Sequence, residues 1–395
     1  MIQYTNGNAS SDQQLNPATH PSNSLDWLTR LIAFDTVSRH SNLALIHDVR
    51  AYCEQLGLTV DLTFNEAKTK ANLFVTVPAG ENADQINNGL VLSGHTDVVP
   101  VDGQDWASDP FEMREEDGRI YGRGSCDMKG FVAACLAMAP AFADKTLKTP
   151  IYFAFTYDEE VGCIGGQHLC DMLAARQITA DAAIIGEPTE MRMIDGHKGC
   201  HEFAVDFTGL AGHGSNPDLG VNAAEYAALY VVRLLKLRDE LKERTPADSR
   251  FDPPYSTLSI GRIEGGFAPN VIAETCTVEW DFRPVNGADL RFVSDSAEQY
   301  LQETLLPAMQ NVLPEASIVT RVLGAVAGLE PVPDNEAVRI VSTLTGANHS
   351  DVVSFCTEAG LFQRIGIPAV VCGPGSIEQA HKPNEFIALE QLQAC

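Results

Sequence analysis

Several short segments of this 395-residue chain carry His, Asp and Glu where their side chains could converge on metal ions. Gly94-His95-Thr96-Asp97 follows the apolar run Leu90–Ser93. His95 and Asp97 are two apart, so an extended backbone points both to one side. A ligating imidazole commonly has a carboxylate on its other nitrogen, a role open to Asp97. Asp127 lies in the glycine-rich stretch from Tyr121 to Gly130, where a helical pattern begins. Asp158-Glu159-Glu160 follows the run Ile151–Thr156, and Gly186-Glu187-Pro188-Thr189 follows Ala182–Ile185. Neighbouring side chains on a strand face opposite ways, so Glu159 and Glu160 can share one site only where the chain bends. Val161-Gly162 makes a bend there plausible.

Each segment alone has an ordinary explanation. A strand-end His beside an Asp is often structural, Asp127 can be a helix N-cap, three acids in a row are usually solvated surface, and Glu187 can hold a turn. His381, in His381-Lys382-Pro383-Asn384-Glu385 after Gly373-Pro374-Gly375-Ser376, is a loop histidine. Taken together they supply two histidines and three or four carboxylates, mostly at strand ends. That is the ligand requirement of a two-metal hydrolase centre.

Such a centre needs a scaffold, and open α/β sheets gather ligands beyond the C-terminal ends of their strands. Strands are expected at Leu58–Leu62, Leu73–Val77, Leu90–Ser93, Ile151–Thr156 and Ala182–Ile185. Helices alternate with them: one capped by Ser24, one from about Ser41 to Leu56, one from near Met128 through Ala143, and one after Gly165. The pattern changes near Gly199. Apolar residues then alternate along Phe203, Val205 and Phe207, along Thr257–Ile263, and along Cys276, Val278, Trp280 and Phe282, with a last strand near Ser317–Val322. Helices from Val221 to about Lys242 and through Ala288–Met309 complete a β-α-β-β-α-β order, the ferredoxin-like unit. After about Gly328 a helix from Glu336 and a strand at Ala369–Cys372 restore the earlier character. The expected fold is an α/β catalytic domain with a mixed central sheet, residues 24–198 and 329–395. It is interrupted by an inserted ferredoxin-like (βαββαβ) domain, residues 199–328, and preceded by a flexible polar tail, residues 1–23.

Composition narrows the partners. The formal net charge of −26, with no basic stripe, opposes nucleic acid and anionic membrane. No apolar run approaches the roughly 20 residues that span a bilayer, and the polar N-terminal stretch lacks the apolar core of a signal peptide. Ten scattered cysteines without a C-x-x-C pair fit a reducing cytoplasm.

The segments GHTDVVP, GRGSCDMKG, YDEEVG, GEPT and HKPNE, in that order, resemble the dinuclear zinc peptidase and deacylase family over nearly everything from Ser24 onward. The resemblance implies two divalent metal ions, zinc with cobalt as the alternative, bridged by Asp127. His95 and Glu187 would complete one site, Glu160 and His381 the other. Glu159 would be the general base and Asp97 the second partner of His95, with a cis peptide between Asp127 and Met128. The inserted domain resembles a lid and dimerisation domain, and His213 in Gly212-His213-Gly214-Ser215 would reach the active site of a second copy. Arg283, on the polar face opposite Val278, Trp280 and Phe282, would hold a substrate carboxylate, with Asn270 as a second lid contact. Glu358 could meet a substrate ammonium, or simply end a helix.

The stretches His197-Lys198-Gly199, Leu237 through Arg244, Phe355 through Ala359 and Gly373 through Phe386 resemble one branch of that family, and this resemblance implies hydrolysis of the acetyl amide of N2-acetyl-L-ornithine. Succinylated diaminopimelate, another acylated amino acid or a peptide are the competing substrates. A metal-loaded protein that only binds amino-acid derivatives is the alternative of another class, and an intact Glu159 argues against it. Two features depart from the family: a longer stretch before Ser24 and an earlier end, at Cys395.

Overall fold

The computed structural model describes residues 20–80 and 88–395, so most of the expected tail lies outside the described residues. An eight-stranded mixed sheet runs in the order Thr59–Phe64, Ala71–Val77, Ile151–Thr156, Leu90–His95, Ala182–Ile185, Ala369–Val371, Ile194–His197, Asp351–Val353. Its centre is parallel: Leu90–His95 pairs in parallel with both Ile151–Thr156 and Ala182–Ile185. The three strand ends that carry His95, the Asp158–Glu160 turn and Glu187 therefore open on one edge.

Alternation along these strands feeds two cores. Leu73, Val75, Val77, Phe153 and Phe155 pack with Trp27, Leu31, Val49 and Leu136 from the helices Ser24–Ile32, Leu43–Gln55 and Lys129–Ala143. Phe74, Tyr152 and Ala154 face the other way, onto Leu169, Leu173, Leu361 and Phe362 from the helices Ile164–Ala175 and Ala359–Arg364. A sheet covered on both faces reads as continuous apolar runs, which is what these strands are.

The second sheet is separate, four-stranded and antiparallel, in the order Thr257–Gly265, Thr275–Arg283, Cys200–Thr208, Ser317–Val326. Its strand sequence and order are those of a ferredoxin-like unit. Val205, Phe207, Val278, Trp280 and Phe282 face the helices Ala223–Glu243 and Gly287–Tyr300 in their own core.

Local details differ from the sequence expectations. Asn23, not Ser24, caps the first helix, its side chain accepting from the Asp26 amide at 2.9 Å. The helix expected through Ala288–Met309 passes through a wide turn at Leu301–Leu305 before Leu306–Gln310. Pro307, which has no N–H to donate, lies just beyond. A small sheet of Arg114–Glu116, Arg119–Tyr121 and Phe386–Ala388 was not expected. It ties the end of the chain to the strand just before the Asp127 loop. All ten cysteines are free, and no helix among the described residues is long and apolar enough to cross a membrane.

Candidate active site

The buried carboxylate of Asp127 has a histidine on each oxygen. His95 Nε2 is 3.0 Å from Oδ1 and His381 Nε2 is 3.4 Å from Oδ2. Each histidine has a glutamate of its own: Glu187 lies 3.7 Å from His95, and Glu160 lies 3.0 Å from His381. One ligand atom from each of His95, Asp127 and Glu160 falls within 4.8 Å of the others, as does one from each of His95, Glu159 and Glu187. Six groups from five separate segments of the sequence thus converge on the sheet edge. The Asp127–Met128 peptide is cis.

Local geometry aims each group. His95 Nδ1 donates to the main-chain carbonyl of Asp97 at 2.8 Å, which fixes the tautomer and leaves Nε2 to face Asp127 and Glu187. The Asp97 carboxylate is farther from that ring, at 3.6 Å. It accepts instead from Ser38 Oγ at 2.7 Å and from the main-chain N–H groups of Glu159 and Glu160 at 3.1 and 3.3 Å. The bend that turns both glutamates inward begins before Val161-Gly162, at Asp158, whose φ is 54°. Lys70 holds that conformation through Nζ contacts of 2.6 and 2.7 Å to the Asp158 carboxylate and a further bond to the Ser38 carbonyl. Neither Lys70 nor Ser38 is visible as a site residue from the sequence, because each acts through a contact distant in the chain.

So many carboxylates in one buried space perturb each other. Burial raises the Glu159 carboxyl well above its ordinary range; the His95 charge opposes this, and Glu160, Glu358 and Asp127 add to it. Burial and the Asp127 charge do the same to Glu187, and push Glu160 up to about 7. Burial also works against ionised Asp127, yet hydrogen bonds from His381 and His95 hold it below the usual carboxylate range. The bonds to Asp127 and Glu160 lift His381 to about 10. A site with four enclosed carboxylates and only two imidazoles is short of positive charge, and oxygen and nitrogen donors in this number suit divalent zinc or cobalt. The residues present fit a two-metal centre.

The remaining candidates stand differently. His213 is exposed and hydrogen bonds within its own turn, to Ser215 Oγ at 2.7 Å; none of its hydrogen bonds reaches the convergent groups. Asn270 is beside it, its carbonyl accepting from the Gly214 amide at 2.8 Å. Arg283 donates from Nε to both oxygens of Asp281, at 2.9 and 3.1 Å, and its Nη1 lies 4.0 Å from Cys356 Sγ. Glu358 is only 1% exposed, enclosed behind the His95 strand with Ser93 Oγ at 3.4 Å, and burial pushes its carboxyl up to about 7.

A sequence profile described as peptidase family M20/M25/M40 matches residues 91–395. An acetylornithine deacetylase of Klebsiella pneumoniae (strain 342) is 38% identical over 348 residues, 88% of this chain and 86% of that protein. Among solved structures, an M20 family metallo-carboxypeptidase from Sulfolobus solfataricus superposes with a TM-score of 0.71 at 19% identity, covering 94% of this chain and 96% of that one. A dinuclear metal binding peptidase of the M20 family from Bacillus subtilis gives 0.63 at 13% identity, over 94% and 93% of the two chains.

Proposed function

This chain belongs to peptidase family M20/M25/M40, a metallohydrolase family, and on that premise we propose that it hydrolyses the acetyl amide of N2-acetyl-L-ornithine, releasing L-ornithine and acetate. The observation that carries the hydrolytic reading is Asp127 between two histidine–glutamate pairs, with Glu159 alongside. The substrate rests on the 38% identity to an acetylornithine deacetylase.

His95, Glu187 and Asp127 would hold one divalent ion, zinc or cobalt, and His381, Glu160 and Asp127 the other. Bound there, two such ions supply Lewis-acid polarisation of the amide carbonyl and a water whose pKa falls from about 15.7 to about 7. Glu159 takes a proton from the attacking water and passes it to the departing amine nitrogen, base then acid. Asp97 holds the main chain of Glu159 and Glu160 in place during both transfers. Arg283, released from Asp281, pairs with the substrate carboxylate, and Asn270 adds a polar contact. The enclosed Glu358 can meet the substrate ammonium only if the wall over it opens. We assign the physiological partner as a second copy, docked through the four-stranded sheet, whose His213 polarises the carbonyl. The exposed His213, with no bond to its own chain's ligand groups, fits that exchange. The free thiols fit the cytoplasm.

The test is initial rates of zinc- or cobalt-loaded protein on N2-acetyl-L-ornithine and N-succinyl-diaminopimelate, with Glu159→Gln as control. Acetate release that falls by roughly 10²–10⁴-fold in the control supports the reading. Preference for the succinyl compound would replace the substrate and keep the chemistry.

A further inference from the structure

Glu385 has no assigned task in the reaction, yet its carboxylate is the most completely bonded in the molecule's functional edge. It is 1% exposed and paired at 2.7 Å with Arg123, itself 1% exposed. Oε1 accepts the main-chain N–H groups of Cys126 at 2.8 Å and Asp127 at 3.0 Å. Oε2 accepts the N–H of Gly124 at 3.0 Å and the Arg123 guanidinium. A carboxylate offers about four acceptor positions, and all are taken. Gly124, at φ +80°, lets the loop turn these three N–H groups toward one point, a concavity suited to an anion. The anion is supplied by the chain itself.

The same brace reaches the other ligand-bearing segment. Glu385 follows His381 by four residues. Arg123 Nη2 donates to Gln104 Oε1 at 2.6 Å, and Gln104 Nε2 donates to the His381 carbonyl at 2.9 Å. Trp106 Nε1 donates to the same Gln104 oxygen at 3.0 Å, and the Arg123 guanidinium lies 5.1 Å from the Trp106 ring centre. Asp127 and His381, which come from distant parts of the sequence, are therefore fixed to one buried ion pair.

We infer that Glu385, neutralised by Arg123, is a positioning residue that sets the gap between Asp127 and His381, and with it the affinity for the second metal ion. This rests on the two-metal reading above. Glu385→Gln keeps the shape but turns an amide N–H₂ against N–H donors at one end, so the Asp127 loop can no longer be held by both oxygens. Outer partners of metal ligands are typically worth 10–100-fold in metal affinity.

The experiment is stepwise Co²⁺ binding to chelator-stripped protein, followed by equilibrium dialysis and visible absorption. The wild type is expected to bind two ions. Glu385→Gln should bind the first within a few-fold of wild type and the second roughly 10–100-fold more weakly, with an altered absorption spectrum for that ion. Glu385→Asp, which keeps the charge, should recover part of the loss. Wild-type affinity and spectrum for both ions in folded Glu385→Gln would overturn the proposal, even if its melting temperature fell. Should that variant not fold, Arg123→Lys decides: unchanged second-ion affinity overturns the brace, a loss of about tenfold or more supports it. A wild type that binds fewer than two ions overturns the brace and the two-metal reading together. A wild type that binds both but cleaves no acylated amino acid overturns only the proposed substrate.

Discussion

The carboxylate of Asp97 accepts the main-chain N–H of Glu159, with 3.1 Å between Oδ1 and the nitrogen. Its other oxygen accepts the next N–H, that of Glu160, at 3.3 Å. One side chain at the end of one strand thus fixes the backbone at the end of its neighbour, where the proposed base and a proposed ligand sit side by side.

Asp97→Asn therefore disturbs catalysis without removing a ligand. The amide keeps one acceptor but turns an N–H₂ toward the other backbone donor. We expect kcat to fall roughly 10–100-fold while two metal ions still bind. Steady-state rates alongside metal analysis check this; wild-type kcat in a fully loaded variant would show that Asp97 does not act through Glu159 and Glu160.

Metal loading should release protons. In chelator-stripped protein at pH 7, His381 is held up to about 10 by its bonds to Asp127 and Glu160, so its ring carries a proton that must leave before Nε2 can ligate. Glu160, pushed up to about 7 by burial, is partly protonated there too. Affinity should accordingly rise as pH increases from 6 to 8. Zinc titrations in buffers of different ionisation enthalpy should report one or more protons released at pH 7, and a pH-independent affinity would contradict this assignment.

Acid should weaken the fold through His197. The ring is buried, its Nδ1 donating to the Lys198 carbonyl at 2.9 Å while Nε2 accepts from Thr357 Oγ1 at 3.1 Å. Burial depresses it from the ordinary 6.5 to about 4. Between those values the unfolded chain binds a proton that the folded chain refuses, so stability is full above pH 6.5 and is lost as pH falls toward 4. The difference amounts to roughly 3 kcal/mol. Denaturant unfolding of wild type and His197→Gln should converge as pH drops from 6.5 to 4, and parallel losses in both proteins would sink the idea.

Gly186, just before Glu187, should tolerate no side chain. A Cβ there would sit 1.9 Å from Cγ of Phe131, a rigid ring on the helix Lys129–Ala143. Overpacking of this kind costs about 1–3 kcal/mol, and the backbone shift that relieves it would carry Glu187 away from His95. Gly186→Ala is expected at the upper end of that range by denaturant unfolding, with part regained in Gly186→Ala/Phe131→Leu. A single variant as stable as wild type would refute the close approach.

Much of this was legible in the chain. The apolar runs at Leu90–Ser93, Ile151–Thr156 and Ala182–Ile185 are long enough and uninterrupted enough to be buried strands, and each is followed by a group able to bind metal. The alternation of Val205 with Phe207, and of Val278 with Trp280 and Phe282, marks a sheet with one covered face, because side chains on a strand repeat every two residues.

Tertiary structure decided the rest. Which histidine faces which oxygen of Asp127 depends on the loops' approach to one another, and no local pattern encodes it. Glu159 and Glu160 face inward together because Asp158 leaves extended geometry under the hold of Lys70, a residue 88 positions earlier in the chain that only the pairing of Ala71–Val77 with Ile151–Thr156 brings alongside. Glu385 reads in the sequence as one more acid near the end of the chain. Only the pairing of Phe386–Ala388 with Arg119–Tyr121 brings it beneath the Asp127 loop, where three inward N–H groups and Arg123 require an anion. Residue types and strand ends are local properties set by periodicity and turn chemistry; the partners of a buried charge are set by desolvation, which acts only once the chain has closed around it.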